Sequence, residues 1–298
     1  MPDPVPAADE VLIDIHATAL NQLDARIRDG ALKPILPYKP PLVLGHDLAG
    51  VVLSVSAGVR RFKPGDAVFA RPRDGHIGTF AERIAVNEAN LVPKPSGLSM
   101  VEATGVPLVG LTAWQVLVER AKLKKGRKIL IHASSGGVGT LAIQLAKHLG
   151  ATVARTASAG NADLVRSLGA DVVVDYRTKD FSTMLSGYDV VLNSLDATTL
   201  EKSLNVLKPG GKLISISGPP DPAFAKAQRL NAVTRLVLRL MSAGIRRKAK
   251  RARVDYSFLW MHADGGQLSR IARLMEEGHI RPVVDQTFPF EQLNEAMA

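Results

Sequence analysis

Apolar residues follow two different patterns along the chain, and the change lies near residue 105. Before that point, the apolar or alternating runs are short and are separated by Gly and Pro. Four of these runs are predicted strands: Glu10–Ala17, Leu48–Val55, Asp66–Ala70 and Thr79–Val86. Strands of this length with frequent turn signals predict a small, mostly β, barrel-like domain over residues 1–105.

Strands and helices alternate after residue 105. Helical spacing over 110–123 is followed by a predicted strand, Lys128–Ala133, and by a helix that ends at Gly150. Later segments such as DVVVDY, DVVLNS and KLISIS contain continuous Val, Ile and Leu runs, which are typical of parallel strands buried on both faces. This alternation predicts a doubly wound α/β domain over residues 106–279, with a basic helical insertion at about 221–252. The last stretch, 281–298, is predicted as a strand that leads into a helix.

The composition excludes several kinds of protein. The chain of 298 residues is 46% hydrophobic and 22% charged, which is typical of a globular protein, and it contains no cysteine. Disulfides, thiolate zinc sites and a Cys nucleophile are therefore excluded. No segment approaches the roughly 18 apolar residues of a membrane span, and the first residues lack a signal-peptide pattern, so we expect a cytoplasmic protein.

Positive charge is concentrated in one run. The formal net charge is +10, and Arg246–Arg253 (RRKAKRAR) carries six of these charges, which leaves +4 for the rest. The simplest interpretation is a solvated helix face, although the run could also contact RNA, acidic lipid headgroups or another acidic surface. A third interpretation makes the 222–252 insertion a lid over a substrate cleft. No zinc-finger, helix-turn-helix or ribonucleoprotein aromatic pattern accompanies the run, which argues against a dedicated nucleic-acid reader.

A glycine-rich turn, HASSGGVGT at 132–140, lies between a predicted strand and a predicted helix. Gly136 would let the backbone approach a pyrophosphate, Gly139 would let the helix pack close to the strand, and the helix N-terminus offers free N–H groups. Ser134 occupies the position of the first glycine in the usual G-x-G-x-x-G motif. The loop predicts a dinucleotide site formed by these residues: Ser134, Ser135, Gly136, Gly137, Val138 and Gly139.

The next predicted strand indicates which dinucleotide is bound. A site for NAD places Asp or Glu about 20 residues after the loop, where the carboxylate accepts a hydrogen bond from the ribose 2′-OH. The corresponding stretch, Ala151–Asn161, contains no acidic residue, and Ser158 stands where the carboxylate is expected. A hydroxyl can donate to a 2′-phosphate that a carboxylate would repel, so the sequence predicts NADPH. Arg155 is a further candidate partner for the phosphate, but the sequence does not show in which direction its side chain points.

Several motifs in order carry a family resemblance: LGHDLAGVV, KPGDAVFA, GTFAERIAV, PLVGLTAWQVL, ILIHASSGGVGTLAIQLAKHLGA, ADLVRSLGADVVVDY and LKPGGKLISI. The chain resembles the zinc-free quinone oxidoreductases, the zeta-crystallin-like branch of the medium-chain dehydrogenase/reductase superfamily. The resemblance implies an α/β fold with a GroES-like substrate domain, completed by 280–298, and a Rossmann domain. It also implies a homodimer with the active site between the two domains. The family has a further strand at each end, so the chain is interpreted as a truncated form.

The resemblance also bears on metal and substrate. Zinc-dependent relatives hold the metal with a Cys, the His of a GHE motif and a later Cys or acid, whereas this chain has Asn21, His46 and Asp47. We therefore expect no metal and a structural or pocket-lining role for His46. Without a Lewis acid, NADPH can still reduce an activated acceptor such as a quinone or an α,β-unsaturated carbonyl. A zinc-independent alcohol or aldehyde reductase and a nucleotide-bound protein that contacts RNA or an acidic surface are the alternatives.

Resemblance places six more residues at the predicted site. Asn21 would donate its amide to the substrate and Thr112 would lie near the nicotinamide, although Asn21 could instead be a turn residue and Thr112 could bond within its helix. No general acid is evident, so the proton would come from water. The remaining residues are predicted cofactor contacts: Tyr176 near the adenosine, Asn161 where relatives have a Lys for the 2′-phosphate, and Leu195 and Gly218 after the carboxyl ends of strands.

Overall fold

The computed structural model describes residues 3–33, 35–36, 38–39, 41–133 and 135–297. These residues form two compact units. The described residues up to Leu111, together with those from His262 onward, form the first unit, and Thr112–Met261 form the second. The division therefore falls at 111/112 and 261/262, whereas the sequence placed it at 105/106 and 279/280.

The first unit is built on a five-stranded antiparallel sheet with the strand order β4-β1-β2-β3-β5. Alternating residues of β1, such as Val11 and Ile13, are fully buried and pack with Leu48 of β2 and Val68 of β3. The elements are β1 (Glu10–Ala19), α1 (Gln22–Arg28), β2 (Asp47–Val55), β3 (Ala67–Ala70), β4 (Arg83–Asn87), β5 (Leu91–Pro93) and α2 (Met100–Thr104), followed by α3 (Pro107–Trp114), whose residues from Thr112 onward belong to the second unit. The mostly β architecture predicted for this part of the chain is confirmed.

The second unit contains a six-stranded sheet that is parallel throughout, in the order β11-β10-β9-β6-β7-β8. Ile129, Leu130 and Ile131 of β6 are fully buried, as expected for a strand covered on both faces. The elements are β6 (Lys128–Ile131), α4 (Gly137–His148), β7 (Thr152–Ala157), α5 (Ala162–Ser167), β8 (Val172–Asp175), α6 (Phe181–Met184), β9 (Tyr188–Asn193), α7 (Ala197–Lys202), β10 (Leu207–Ser215), α8 (Pro222–Ala227), α9 (Ala232–Met241), α10 (Ala243–Arg251) and β11 (Asp255–Phe258). The predicted doubly wound parallel sheet is confirmed.

The chain then returns to the first unit through α11 (Gly265–Glu276) and ends its described part with α12 (Leu293–Ala296). The structure groups α11 with the first unit, whereas the predicted boundary lies at 279/280: α11 packs against β5, and Gly265 lies so close to the Ala89 carbonyl that a Cβ would overlap it. Residues 281–289 form no strand, contrary to the prediction, and pair with no other described strand. Among the described residues, no helix is long and apolar enough to cross a membrane.

Candidate active site

The glycine-rich loop connects β6 to α4 by a tight turn. Gly136 donates its N–H to the Ala133 carbonyl at 3.2 Å, and Ala133 adopts a φ of +46°, which is uncommon for a residue with a side chain. Ser135, Gly136 and Gly137 are exposed, whereas Gly139, in the first turn of α4, is buried. Ser134, which was predicted as part of the loop, lies outside the described residues. The free N–H groups of the first turn of α4 therefore lie beside an exposed backbone segment, as phosphate binding requires.

Gly136 and Gly218 lack a side chain for different physical reasons. A Cβ on Gly136 would meet only the Ala133 carbonyl oxygen, at an ordinary 3.5 Å, so the clearance at Gly136 is on the outer side of the loop. A Cβ on Gly218 would lie 2.8 Å from Ser215 Oγ and 3.0 Å from Leu200 Cδ2. Packing within the unit therefore accounts for Gly218, whereas Gly136 leaves space into which a cofactor would fit.

A cavity of about 740 Å³ opens beside this loop, at the carboxyl ends of β6, β7 and β8. Its lining brings together five of the predicted cofactor residues: Ser135, Ser158, Asn161, Tyr176 and Leu195. Gly136, Gly137, Val138, Gly139 and Gly218 are not part of this lining. The location is where ligands bind in open parallel sheets.

Charged side chains that the sequence analysis missed also line the cavity. Arg177 and Lys179 follow β8, are exposed, and have no ion-pair partner among the described residues. Lys202 of α7 lies 2.6 Å from Asp180, and this contact, together with hydrogen bonds from Ser182, lowers the pKa of Asp180 to about 2. Two cations are therefore available to a ligand, while the third is paired.

The end of β7 carries no carboxylate. β7 ends at Ala157, opposite Asp175 of β8, and Ser158 follows it into the cavity. Asp175 is not part of the lining, and its Oδ1 accepts a hydrogen bond from the Arg177 N–H at 3.0 Å. Arg155 is fully buried and does not line the cavity, and burial lowers its pKa to about 10. The proposed contact of Arg155 with a phosphate therefore has no support from its position.

His132 forms part of the cavity wall and was missed as an individual residue. Its Nδ1 and Nε2 lie 3.0 Å from Thr156 Oγ1 and 3.0 Å from Ser203 Oγ. The Phe181 ring packs edge-on against it at 4.7 Å. Burial lowers the pKa of His132 to about 4, so the ring is neutral near pH 7 and serves as a structural support.

The first unit contains a separate group of polar side chains, Asn21, Asp24, His46 and Asp47, here called the polar cluster. Asn21 ends the turn before α1, where its N–H donates to Asp24 Oδ2 at 2.9 Å. Its side-chain amide donates to Asp47 Oδ2 at 2.8 Å. His46 Nδ1 lies 2.6 Å from Asp24 Oδ1, and Asp24, His46 and Asp47 are all buried. Asn21 is therefore held by carboxylates at both its backbone and its side chain.

Gly45 sets the geometry of the polar cluster. Its φ is +104°, and a Cβ would overlap Thr79 Oγ1 and the Phe80 backbone, so only glycine fits. The Gly45 N–H donates to Asp24 Oδ1 at 3.1 Å, which brings the following residue, His46, onto the same carboxylate. His46 and Asn21 were predicted from the sequence, whereas Asp24 was not, because it stands in a polar stretch without a recognisable motif.

Burial also changes the acidity of Asp47. Loss of solvent raises the pKa of this carboxyl to about 7, and hydrogen bonds from the Asn21 amide and the Leu108 N–H (2.8 Å) oppose that rise. Asp47 therefore changes its charge near neutral pH. Thr112, the other predicted pocket residue, is buried on α3 in the second unit.

The polar cluster does not fit a catalytic zinc ion. Such a site needs three protein ligands and an open position, and the cluster offers one imidazole together with carboxylates that already accept other hydrogen bonds. No group of three His, Asp or Glu side chains within the described part of the chain is placed to hold a metal.

Two sequence families match the chain. Residues 7–96 match the family described as "Alcohol dehydrogenase GroES-like domain", and residues 168–298 match the family described as "Zinc-binding dehydrogenase". Both matches agree with the fold of the unit that contains most of each range.

Individual relatives narrow the assignment. The chain is 34% identical to "Quinone-oxidoreductase QR1, chloroplastic" from Triphysaria versicolor over 307 residues, which covers 100% of this chain and 88% of that protein. It is 35% identical to "NADPH-dependent alkenal/one oxidoreductase, chloroplastic" from Arabidopsis thaliana over 300 residues, which covers 97% of this chain and 68% of that protein. The solved quinone oxidoreductase from Coxiella burnetii superimposes with a TM-score of 0.85 at 27% identity, over 99% of this chain and 88% of that one. The chain therefore belongs to the medium-chain dehydrogenase/reductase superfamily, in its quinone oxidoreductase branch, and is an NAD(P)H-dependent oxidoreductase.

Proposed function

We propose that this protein uses NADPH to reduce quinones or α,β-unsaturated carbonyls and needs no metal. The observation that carries the choice of NADPH is the cavity at the end of β7, where Ser158 takes the place of a carboxylate and Arg177 and Lys179 have free charges. A 2′-phosphate is a dianion that accepts hydrogen bonds, so these three side chains suit it. A carboxylate at position 158 would suit a 2′-OH instead.

The rest of the cofactor would be held by the residues around the cavity. The first turn of α4 offers N–H groups to the pyrophosphate, and Gly136 leaves the clearance that a close approach needs. Tyr176, 55% exposed at the cavity, presents its ring to an adenine, and Asn161 can donate to the phosphate in place of a lysine. Leu195 supplies an apolar contact and Ser135 a hydroxyl at the cavity. Ser134, which lies outside the described residues, and Val138, which is not part of the lining, stay predicted contacts of the loop, and Thr112 remains a proposed nicotinamide contact. When bound, NADPH supplies the hydride.

The polar cluster supports a role for Asn21 in activating a carbonyl. One amide N–H of Asn21 is committed to Asp47, whereas its other contact, to the Ala19 carbonyl, is long at 3.5 Å. A substrate oxygen would therefore compete with a weak interaction only. The charge that develops on that oxygen during reduction of a quinone or enone is delocalised, and one donor stabilises it without a Lewis acid. Asp47 acts as the positioning residue that orients the amide.

The experiment that tests this proposal is a panel of acceptors with both cofactors. We expect NADPH oxidation with benzoquinones, naphthoquinones and enals, unchanged by a chelator, and a weaker rate with NADH. Chelator-sensitive oxidation of alcohols, or a preference for NADH, would contradict the proposal.

A double variant tests the phosphate contacts directly. Arg177→Ala with Lys179→Ala should raise the KM for NADPH about tenfold or more and leave the KM for NADH unchanged, because hydrogen bonds to charged groups contribute about 1.5–3 kcal/mol. Lys124→Ala with Lys125→Ala removes the same charge from an exposed turn outside the cavity and should change neither constant.

A further inference from the structure

One face of α9 exposes a continuous row of apolar side chains. Five residues spaced by three or four positions lie on the same side of the helix, and they are here called the apolar stripe. Their exposed fractions are 74% for Val233, 56% for Leu236, 47% for Val237, 65% for Leu240 and 59% for Met241. Side chains at this spacing normally face a protein core, but the residues that the structure describes leave this stripe uncovered.

The helix is anchored from a different side. Leu238 is its buried residue, and Arg235 and Arg239 also lie outside the arc of the apolar stripe. The helix begins with a cap in which Asn231 Oδ1 accepts from the Thr234 N–H at 2.9 Å. It ends at Ser242, whose buried hydroxyl donates to the Leu238 carbonyl at 2.9 Å. The apolar stripe is therefore held in a formed helix that already has its own attachment to the second unit.

All of the chain's net charge lies around this helix. The segment 222–254, here called the basic insertion, contains ten Lys and Arg residues and no Asp or Glu, while the rest of the chain has 28 of each sign. All ten side chains are exposed. On α10, Ile245 and Ala249 are buried, so that the basic residues of this helix face outward; Lys248 is paired with Glu201 at 2.6 Å. An apolar stripe and a cationic surface thus lie on consecutive helices.

We propose that α9 and α10 dock the protein on an anionic lipid bilayer. The apolar stripe would enter the boundary between headgroups and acyl chains, and the basic side chains of α10 would contact lipid phosphates. Aliphatic side chains surrounded by Lys and Arg are the composition of helices that lie in the plane of a membrane surface.

Charge and side-chain chemistry argue against the other partners for this face. A second copy would meet the face through the same surface in a twofold dimer, which would bring two clusters of like charge together. RNA would satisfy the cations, but the apolar stripe has no aromatic ring on which a base could stack and would remain exposed. A bilayer covers the apolar atoms and neutralises the cations at the same time.

Binding to vesicles tests the proposal. The full chain should bind vesicles that contain phosphatidylglycerol, bind pure phosphatidylcholine vesicles more weakly, and lose affinity as salt is added. Arg246→Gln with Arg247→Gln should lower the affinity by about tenfold or more, since each basic residue near an anionic surface contributes about 1 kcal/mol. Lys124→Gln with Lys125→Gln is the matched control and should bind as the unaltered chain does. Equal loss in both double variants would overturn the proposal, because it would show attraction by net charge alone.

The absence of cysteine makes insertion directly measurable. Val237→Cys carrying a polarity-sensitive fluorophore should show a blue-shifted emission when phosphatidylglycerol vesicles are added. The same fluorophore at Arg235→Cys, outside the apolar stripe, should not shift. If vesicles cause no shift at position 237 or at position 235, insertion is overturned. A shift at position 237 that grows with protein concentration in the absence of vesicles would also overturn it, because a second copy would then be the occupant. Binding of RNA by a chain that does not bind phosphatidylglycerol vesicles would also overturn the proposal.

Discussion

The polar side chains of the two units differ in burial and in pairing. The polar cluster of the first unit is closed: Asp24, His46 and Asp47 are buried and bonded to one another or to backbone N–H groups. The cavity of the second unit is open, and its cations Arg177 and Lys179 are exposed and unpaired within the described part of the chain. A closed cluster can orient a donor, whereas an open, cationic cavity can take up a charged ligand.

Burial shifts a pKa in both regions, and it favours the protonated form of Asp47 but the deprotonated form of His132. It raises the pKa of Asp47 to about 7 and lowers the pKa of His132 to about 4, so each side chain is pushed toward its neutral form. For an acid that means keeping the proton, and for a base it means losing it. The first unit should therefore lose stability as the pH rises, and the second unit should lose stability as the pH falls.

The largest expected effect comes from opening the polar cluster. Asp24→Ala leaves His46 and the Gly45 N–H without their buried partner and should lower the free energy of unfolding by about 3–5 kcal/mol, measured by urea denaturation. Asp29→Ala removes an exposed carboxylate next to the same helix and should change the value by about 0.5 kcal/mol or less. A cost below about 1 kcal/mol for Asp24→Ala would show that the cluster is hydrated rather than closed.

Asp47 should make the stability of the first unit fall as the pH rises toward 7. The folded state holds the Asp47 proton up to about pH 7, while the unfolded state releases it near the ordinary value of 3.8. Stability from this group is thus fully present below pH 3.8 and is lost as the pH rises to 7, by about 4 kcal/mol. Asp47→Asn should remove that decline from unfolding curves recorded between these pH values. A variant with the same slope as the unaltered chain would show that Asp47 is ionised when folded.

The second unit should respond in the reverse direction through His132. The folded state keeps His132 neutral down to about pH 4, whereas the unfolded state takes up a proton near 6.5. Stability is therefore retained above pH 6.5 and lost as the pH falls to 4, by about 3 kcal/mol. His132→Gln should remove the decline between pH 6.5 and 4 and leave the Asp47 side unchanged. If both sides flatten together, the two regions are coupled and the comparison fails.

The smallest of these effects concerns the choice of cofactor. Ser158→Asp places a carboxylate where we propose the 2′-phosphate lies, so the ratio of kcat/KM for NADPH over NADH should fall by about ten- to a hundredfold. Ser167→Asp adds the same charge on the exposed side of α5, away from the cavity lining, and serves as the control. An unchanged ratio in Ser158→Asp would place the phosphate elsewhere.

The sequence predicted the open cavity better than the closed cluster, and the reason is physical. A phosphate loop and the end of the next strand are local backbone features, so Gly136 and Ser158 could be found from spacing alone. The polar cluster joins Asp24 to residues that lie more than twenty positions away, and no local pattern marks such a contact. Thr79–Val86 and 281–289 were predicted to contain more strand than they do, because apolar alternation shows a suitable face but not whether a neighbouring strand is there to pair.

The same limit applies to α9. Its apolar spacing is the pattern of a helix that faces a core, and only the structure shows that the apolar stripe is exposed while Leu238 is buried. Periodicity identifies an apolar face without identifying what covers it.

Confining the whole net charge to the basic insertion makes the rest of the chain formally isoelectric near pH 7. Retention on a cation-exchange column, electrophoretic mobility and the high isoelectric point are then properties of one short segment rather than of the molecule. A purification step that separates by charge would select for chains with an intact insertion, and a clip within it would shift the elution position more than the loss of any other segment of equal length.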